Sequence, residues 1–226
     1  MTETKIIETR THGRYLVRRG ESNRLLVGFH GYGENAERHL AELEKLDADW
    51  TLVAIQALNR FYTRSEEIVA NWMTREDREL AIDDNIHYVR RVVEELGPHE
   101  RLVFAGFSQG AAMAYRAAAS IRCDGVFVLA GDLPPDVAVI LSREDGEGPA
   151  TQVAEGSFGA YALQDDRRPF PPVLIGRGER DDWYTGEKLK KDLSFLPQAE
   201  ICVFDGGHEW SDRFRTAASE FINRLK

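Results

Sequence analysis

One serine of the sequence stands between two glycines in a setting that suits covalent chemistry. Residues 106–110 read GFSQG, and Ser108 at their centre follows an apolar run and precedes a run of helix-forming residues. A sharp strand-to-helix turn strains the backbone of its central residue and projects the side chain, while glycines on either side avoid clashes that a Cβ would cause. Many serines between glycines are only turn residues. The strand and the helix around this one therefore carry the prediction that Ser108 is a nucleophile.

A serine hydroxyl is a poor nucleophile near neutral pH, so it needs a base within hydrogen-bond reach and a third group that orients the base. Proteins that carry the nucleophile on such a turn have the chain order serine, acid, histidine. His208 is the only one of the six histidines that follows Ser108. It lies in residues 205–210, DGGHEW, a turn between an apolar run and the final amphipathic segment. We predict that His208 is the base, and the alternative is an exposed loop histidine.

The orienting acid has to be chosen from ten aspartates that lie between the serine and the histidine. Asp181 and Asp182 come just after the apolar run 173–175, and the carboxyl ends of strands are where α/β sheets build their sites. Asp205 also follows an apolar run, but it lies too close in sequence to His208 to be its usual partner. We predict Asp181 as the acid and keep Asp182 as the second choice, with a solvated loop carboxylate as the competing interpretation of either.

Acyl transfer also needs hydrogen-bond donors for the oxyanion that develops on the attacked carbonyl. The backbone N–H of Gln109 is one predicted donor. The second is predicted to be the N–H of Tyr32, because residues 30–33, HGYG, follow an earlier apolar run as that role requires. The glycines of residues 28–33 have the order G-x-x-G-x-G, which does not fit a dinucleotide-binding fingerprint. His30 is predicted to be a hydrogen-bonded structural residue.

The elements that must position these residues read as an α/β fold. Short β-rich runs alternate with helical patterns, as in a central, mainly parallel sheet with helices on both faces. Residues 5–9 and 14–18 are predicted to form an antiparallel hairpin at the N-terminal edge of the sheet. Six near-continuous apolar runs are predicted as its buried strands: residues 25–29, 52–55, 102–105, 126–129, 173–175 and 201–204.

Two helices are predicted from apolar residues that recur at intervals of three and four. The first covers residues 78–96 and ends before a Gly-Pro pair, and the second is the amphipathic segment that follows His208. Residues 137–168 have little periodicity and are predicted to be an irregular insertion with short helical pieces, or a possible lid.

Length and composition limit the classes of protein and of partner. A chain of 226 residues is long enough for one large domain, so we predict a single domain over residues 1–226. The net charge of −9 argues against nucleic acid or an anionic membrane as a partner and favours a small molecule. Cys123 and Cys202 are predicted to be buried, reduced thiols. With no signal peptide or membrane-spanning run in the sequence, we expect a cytoplasmic protein without membrane insertion, and a homodimer stays open.

The motifs together resemble one branch of a known superfamily. The HGYG of residues 30–33, the GFSQG of residues 106–110, residues 178–181 and residues 207–208 are similar to those of the phospholipase/carboxylesterase family of the α/β-hydrolases, which includes acyl-protein thioesterases. The resemblance covers nearly the whole chain and implies an α/β-hydrolase fold and a serine esterase that needs no metal or organic cofactor. It implies Ser108, Asp181 and His208 as a triad, with the N–H groups of Tyr32 and Gln109 as the oxyanion hole. The family more often has Leu and Asp where this chain has Tyr32 and Glu34.

Aromatic residues near the predicted triad suggest what the pocket accepts. Four are predicted to line the pocket: Trp72, Trp183, Tyr184 and Trp210. We expect such walls to suit a compact or aromatic ester better than a long acyl chain. Two alternatives remain: a ligand-binding protein without catalysis on the same fold, and a thioesterase, acyltransferase or peptidase that uses the same acyl-enzyme step.

Overall fold

The computed structural model describes residues 1–46, 49–142 and 169–225 of the chain. Its strands are β1 (Arg14–Arg18), β2 (Arg24–Phe29), β3 (Thr51–Gln56), β4 (Asn59–Tyr62), β5 (Ile68–Asn71), β6 (Arg101–Phe107), β7 (Gly125–Leu129), β8 (Val173–Gly178) and β9 (Glu200–Phe204). Its helices are α1 (Ala36–Leu43), α2 (Arg78–Leu96), α3 (Gln109–Ser120), α4 (Pro135–Leu141), α5 (Gly186–Phe195) and α6 (Asp212–Arg224).

Seven of these strands form one sheet in the order β1-β3-β2-β6-β7-β8-β9. The six apolar runs all form strands of this sheet and pair in parallel, because their near-continuous hydrophobicity suits strands that are covered on both faces. β1 pairs antiparallel with β3 and supplies the antiparallel edge. These observations confirm the predicted fold class. The predicted hairpin is wrong, since residues 5–9 form no strand and β1 takes its partner from β3 instead.

Helices cover both faces of the sheet and complete two apolar layers. In β2, Val27 and Phe29 pack in the layer that α2, α3, α4 and α5 cover. Leu26 points to the opposite layer, where Phe214 and Phe221 of α6 are buried with it. The alternation of a strand's side chains thus assigns neighbouring residues to different layers. The helix predicted over residues 78–96 is confirmed as α2, and the closing helix is confirmed as α6.

Residues 137–168 and the strands β4 and β5 are where the structure departs from the sequence-based predictions or does not describe the chain. The start of the segment that was predicted to be irregular, residues 137–168, belongs to α4, and residues 143–168 lie outside the described part of the chain. The strands β4 and β5, which the sequence did not reveal, pair as a separate two-stranded ribbon.

Neither cysteine forms a disulfide, and Cys202 is buried while Cys123 is partly exposed. No helix in the described ranges is both long enough and apolar enough to cross a membrane.

Candidate active site

Ser108 lies at the junction of β6 and α3 in a strained conformation. Its φ of 53° and ψ of −119° are unusual for a residue with a side chain. The strain is fixed by packing on both sides: a Cβ at Gly106 would lie 2.6 Å from the Cα of Ala111, and a Cβ at Gly110 would lie 2.6 Å from the carbonyl oxygen of His30. Only glycine fits at either position, so the turn depends on the two glycines that identified it.

The structure brings Ser108, His208 and Asp181 together in one line of hydrogen bonds. The Nε2 of His208 lies 2.8 Å from the Oγ of Ser108, and its Nδ1 lies 3.0 and 3.1 Å from the two carboxylate oxygens of Asp181. Because a carboxylate accepts only, Nδ1 carries the proton and leaves Nε2 free to accept from the serine hydroxyl. The imidazole also packs on Phe107, with ring centroids 5.2 Å apart. This geometry is the one that proton transfer from a nucleophilic serine requires.

The carboxylate of Asp181 is buried and held by the chain around it. The residue is 3% exposed, and one of its oxygens accepts hydrogen bonds from the backbone N–H groups of Trp183 and Tyr184, both at 2.8 Å. Asp182, the alternative acid, is exposed, and none of the hydrogen bonds of the described residues joins it to His208. The structure thus places Asp181 rather than Asp182 against the base.

The loops that carry the acid and the base are packed backbone to backbone. A Cβ at Gly178, at the end of β8, would lie 2.6 Å from the carbonyl oxygen of Gly206. The N–H of Arg180 donates to that same carbonyl oxygen at 2.9 Å. Because no side chain separates the loops, Asp181 and His208 are brought within hydrogen-bond distance.

The two predicted oxyanion donors follow neighbouring strands of the sheet. Tyr32 follows β2, and Gln109 follows β6 and begins α3. Among the described residues, neither backbone N–H has a protein acceptor. The side chain of Gln109 is fixed, because its oxygen accepts from the N–H of Trp72 at 2.9 Å and its amide nitrogen donates to the carbonyl of Met73 at 2.9 Å. Both N–H groups are therefore available to an oxyanion.

The strand pair β4–β5 steadies the loop that carries Tyr32. The N–H of Gly33 donates to the carbonyl of Ala70 at 3.0 Å, and the N–H of Ala70 donates to the carbonyl of Glu34 at 2.8 Å. Gly33 has a φ of 70°, the left-handed conformation that favours glycine. Tyr32 also lies against Phe61 of β4, with ring centroids 5.7 Å apart. The β4–β5 ribbon, which the sequence did not reveal, therefore supports the loop of the predicted oxyanion hole.

His30 has the structural role that was expected of it. Its Nε2 accepts from the N–H of Ala57 at 3.1 Å, so its Nδ1 carries the proton and donates to the carbonyl of Gly31 at 2.7 Å. Burial lowers the pKa of His30 to about 4, which keeps the ring neutral. Its carbonyl accepts from the indole N–H of Trp72 at 2.8 Å.

Glu34 places a carboxylate beside the oxyanion loop. Its Oε2 accepts from the N–H of Gly31 at 2.7 Å, and no ion pair within the described residues neutralises it. Burial raises the pKa of Glu34, while that hydrogen bond and the neighbouring Arg38 and His208 act to lower it. In the sequence, Glu34 stands out only as a departure from the family pattern, with no predicted role.

The four aromatic residues predicted to line the pocket have different environments. Trp72 and Tyr184 are fully buried, so they support the site from within the core, and their burial argues against contact with substrate. Trp210 is partly exposed and packs on Phe107, with ring centroids 6.1 Å apart. Trp183 is 74% exposed beside the acid. Among the described residues, we call Trp183 on the acid side and Tyr32, which is 63% exposed, on the oxyanion side the exposed aromatic rim.

Within the residues that the structure describes, no group of three or more His, Cys, Asp or Glu side chains is arranged to hold a metal ion.

Solved structures with the same architecture are numerous and distant in sequence. Acyl-protein thioesterase 2 of Zea mays has a TM-score of 0.68 at 16% identity, and the alignment covers 95% of this chain and 99% of that one. Esterase PE8 has a TM-score of 0.67 at 18% identity over 96% of this chain and 100% of that one. The Bacillus cereus carboxylesterase has a TM-score of 0.65 at 15% identity over 95% of each chain. At such identities the likeness establishes the α/β-hydrolase fold.

Comparison with protein families and with curated sequences gives different results. No curated protein sequence matches significantly. The family model described as "Serine hydrolase (FSH1)" matches residues 21–210, which include Ser108, Asp181 and His208. The match extends over most of the chain, and the chain therefore belongs to the serine hydrolase (FSH1) family.

Proposed function

We propose that the protein hydrolyses carboxylic esters of small molecules through a Ser108–His208–Asp181 triad and an acyl-enzyme intermediate. The observation that carries the proposal is the continuous pair of contacts from Ser108 to His208, at 2.8 Å, and from His208 to the buried Asp181, at 3.0 Å. Membership of a serine hydrolase family supports the reaction class. The names of the structurally similar esterases and thioesterases are compatible with it.

In the first half of the proposed reaction, the hydroxyl of Ser108 attacks the ester carbonyl while His208 takes its proton at Nε2. The negative charge that develops on the carbonyl oxygen is stabilised by the N–H groups of Tyr32 and Gln109. His208, now charged, passes the proton to the departing alcohol oxygen, and Asp181 stabilises its charge. An acyl group is left on the serine oxygen.

In the second half, water replaces the alcohol. His208 takes a proton from the water, the resulting hydroxide attacks the acyl carbonyl, and the same two N–H groups hold the new oxyanion. The proton then returns to Ser108 Oγ as the carboxylic acid leaves. The exposed aromatic rim of Tyr32 and Trp183 favours a compact or aromatic ester over a long acyl chain.

The experiment that tests the proposal is hydrolysis of p-nitrophenyl esters of increasing acyl length by the wild-type protein and by Ser108→Ala. We expect hydrolysis of the short esters that falls by about three orders of magnitude or more in the variant, with unfolding unchanged. Near-native turnover by Ser108→Ala would remove the serine from the mechanism. Turnover that rises steadily beyond octanoate would contradict the compact substrate. Faster turnover of matched thioesters would move the assignment to a thioesterase.

A further inference from the structure

Tyr184 connects the predicted acid to the interior of the protein. Its backbone N–H is one of the two that hold the carboxylate of Asp181, at 2.8 Å. Its carbonyl accepts from the Nε of Arg177 at 2.7 Å. Its ring is fully buried, and its hydroxyl donates to the Oδ2 of Asp192 at 2.8 Å. The peptide that orients Asp181 is thus anchored through its own side chain.

Asp192 is a buried carboxylate on α5 that bonds to two loops at once. It is 3% exposed, and its Oδ2 accepts from the hydroxyl of Tyr184 and, at 3.0 Å, from the backbone N–H of Leu133. No salt bridge within the described residues involves Asp192. The neighbouring Asp132 pairs with Lys188 at 2.9 Å. Burial raises the pKa of Asp192, and its two hydrogen bonds act in the opposite direction. A buried carboxylate without a salt bridge is costly to retain. Here Oδ2 accepts two hydrogen bonds from neutral donors, and the positive charge of Lys191 also favours the ionised form.

The loop of Leu133 leads back to the nucleophile. Gly131, two residues earlier, packs so closely on the strained turn that a Cβ there would lie 2.5 Å from the Cβ of Ala111 and 3.1 Å from the carbonyl carbon of Ser108. Asp192 therefore holds together a loop that touches the nucleophile and a loop that carries the acid. Neither loop reaches the other through a hydrogen bond of its own among the described residues.

We propose that Asp192 is a positioning residue that acts through the Tyr184 hydroxyl to hold the N–H groups that orient Asp181. The inference rests on the proposed function, because it assigns Asp192 to the placement of that function's acid. A carboxylate suits this role because it accepts from a hydroxyl and a peptide N–H together, and hydrogen bonds to an ionised acceptor are short and strong. The competing interpretation is a structural link that affects only stability.

Three variants separate these interpretations. Tyr184→Phe removes the hydroxyl and leaves both the ring and the backbone N–H in place. Asp192→Ala removes the acceptor. Asp192→Asn keeps an oxygen that can accept from both donors, and the Tyr115 hydroxyl, which has no hydrogen-bond partner among the described residues, lies nearby for its new amide hydrogens. The matched control is Tyr88→Phe, which removes a hydroxyl that donates at 2.6 Å to the carbonyl of Arg14 in β1.

Two measurements are made on each folded variant. The first is kcat and KM for the best p-nitrophenyl ester. The second is the downfield proton NMR signal of the His208 Nδ1–H, assigned by its loss in His208→Ala, because this proton lies in the contact with Asp181 and needs no turnover to be seen. A link that affects only stability moves the unfolding midpoint and leaves both readouts unchanged.

We expect Tyr184→Phe and Asp192→Ala to lower kcat about tenfold or more with KM within about twofold, since small misplacements of catalytic groups cost rate rather than binding. Both should shift or broaden the Nδ1–H signal. Asp192→Asn should recover most of the rate, and Tyr88→Phe should match the wild-type protein in both readouts.

The inference is overturned if Tyr184→Phe keeps the wild-type kcat, or if it loses rate with an unchanged Nδ1–H signal. If Asp192→Ala does not fold, Tyr184→Phe decides by the same two readouts. A wild-type protein that hydrolyses no ester would contradict the proposed function alone, because the NMR signal still reports whether Tyr184 and Asp192 position Asp181.

Discussion

The two sides of the candidate site are built by different means. On the side of β2 and β6, the turn of Ser108 is shaped by close backbone packing at Gly106, Gly110 and Gly131. On the side of β8 and β9, Asp181 is held by hydrogen bonds that extend through Tyr184 to Asp192 inside the protein. The first side depends on glycines that leave room for neighbouring backbone. On the second side the loops also approach closely at Gly178, but the orientation of Asp181 depends on specific polar groups. A substitution should therefore fail through steric overlap on one side and through lost orientation on the other.

The two sides also differ in the kind of buried titratable group that they contain. Next to β2, His30 and His39 are buried as neutral rings, and burial lowers their pKa values to about 4 and about 3. On α5, burial raises the pKa of the Asp192 carboxyl. Lowering the pH should therefore reduce the free energy of unfolding through His30 and His39, whose protonation the folded state resists. Asp192 should make no such contribution.

The largest effect is expected on the acid side. Asp181→Asn should lower kcat by about four orders of magnitude, because an amide favours the wrong tautomer of His208 and stabilises its charge poorly. Asp182→Asn is the matched control and should stay within about threefold of the wild-type protein, since Asp182 is exposed. Steady-state kinetics with a short p-nitrophenyl ester measures both. Equal losses in the two variants would mean that the acid side is not organised around Asp181.

The second effect concerns the sterically built side. Gly110→Ala should lower the free energy of unfolding by about 3 kcal/mol, because its Cβ would overlap rigid backbone of residues 29 and 30. Gly186→Ala, where the nearest atoms to a Cβ are 3.9 Å away, should change it by less than about 1 kcal/mol. Denaturant unfolding of the two variants makes the comparison. A Gly110→Ala protein as stable as Gly186→Ala would show that the turn has room to relax.

The third effect is the response of the histidine side to acid. The folded protein holds His30 and His39 neutral, while the unfolded chain takes up protons on both below about pH 6.5. The two histidines therefore cost the folded state nothing above about pH 6.5. Below that pH the free energy of unfolding falls, until about pH 4 for His30, which accounts for about 3 kcal/mol, and until about pH 3 for His39.

His39 isolates this contribution, because neither ring nitrogen has a hydrogen-bond partner among the described residues. His39→Leu should be at least as stable as the wild-type protein at pH 7 and should lose less stability between pH 6.5 and pH 4. Denaturant unfolding across this pH range provides the measurement. If the free energy of unfolding falls with pH in parallel for the two proteins, His39 has the same pKa in the folded and the unfolded chain.

The smallest effect is expected at the exposed rim. Tyr32→Ala keeps the backbone N–H that is predicted to hold the oxyanion and removes a ring that lies against Phe61. We expect KM for an aromatic ester to rise by about two- to tenfold with kcat little changed. Tyr62→Ala, which removes another exposed tyrosine at the end of β4, is the control and should have no effect. A tenfold or greater fall in kcat for Tyr32→Ala would instead assign its ring to the support of the oxyanion loop.

The difference between the two sides also explains how much could be predicted from the sequence. The turn of Ser108 and the loop of Tyr32 were recognisable because steric rules act between neighbours in the chain and leave glycines at fixed spacings. The buried strands were recognisable because strands covered on both faces are apolar throughout. Position after a strand selected Asp181 and Asp182 among the aspartates. The burial that distinguishes Asp181 from Asp182 depends on tertiary packing that the sequence does not show.

What the sequence did not reveal depends on contacts between distant residues. The strands β4 and β5 are four residues each, and β4 has exposed polar residues, so neither shows a clear pattern. Asp192 lies on an amphipathic helix, where nothing separates a buried carboxylate from a solvated one. Trp72 and Tyr184 were predicted to line the pocket, but both are fully buried, and this burial follows from tertiary packing that the sequence does not show.

The separation of 100 residues between Ser108 and His208 has a consequence for how activity is acquired during folding. Parallel strands that are distant in sequence form slowly, because loop closure costs entropy before the contacts between strands compensate for it. The strained turn and its base meet only after β7, β8 and β9 have joined the sheet. A refolding chain should therefore regain its secondary structure, measured by circular dichroism, before its hydrolase activity. In a partly folded chain, Ser108 would lack the base that its hydroxyl needs to act as a nucleophile.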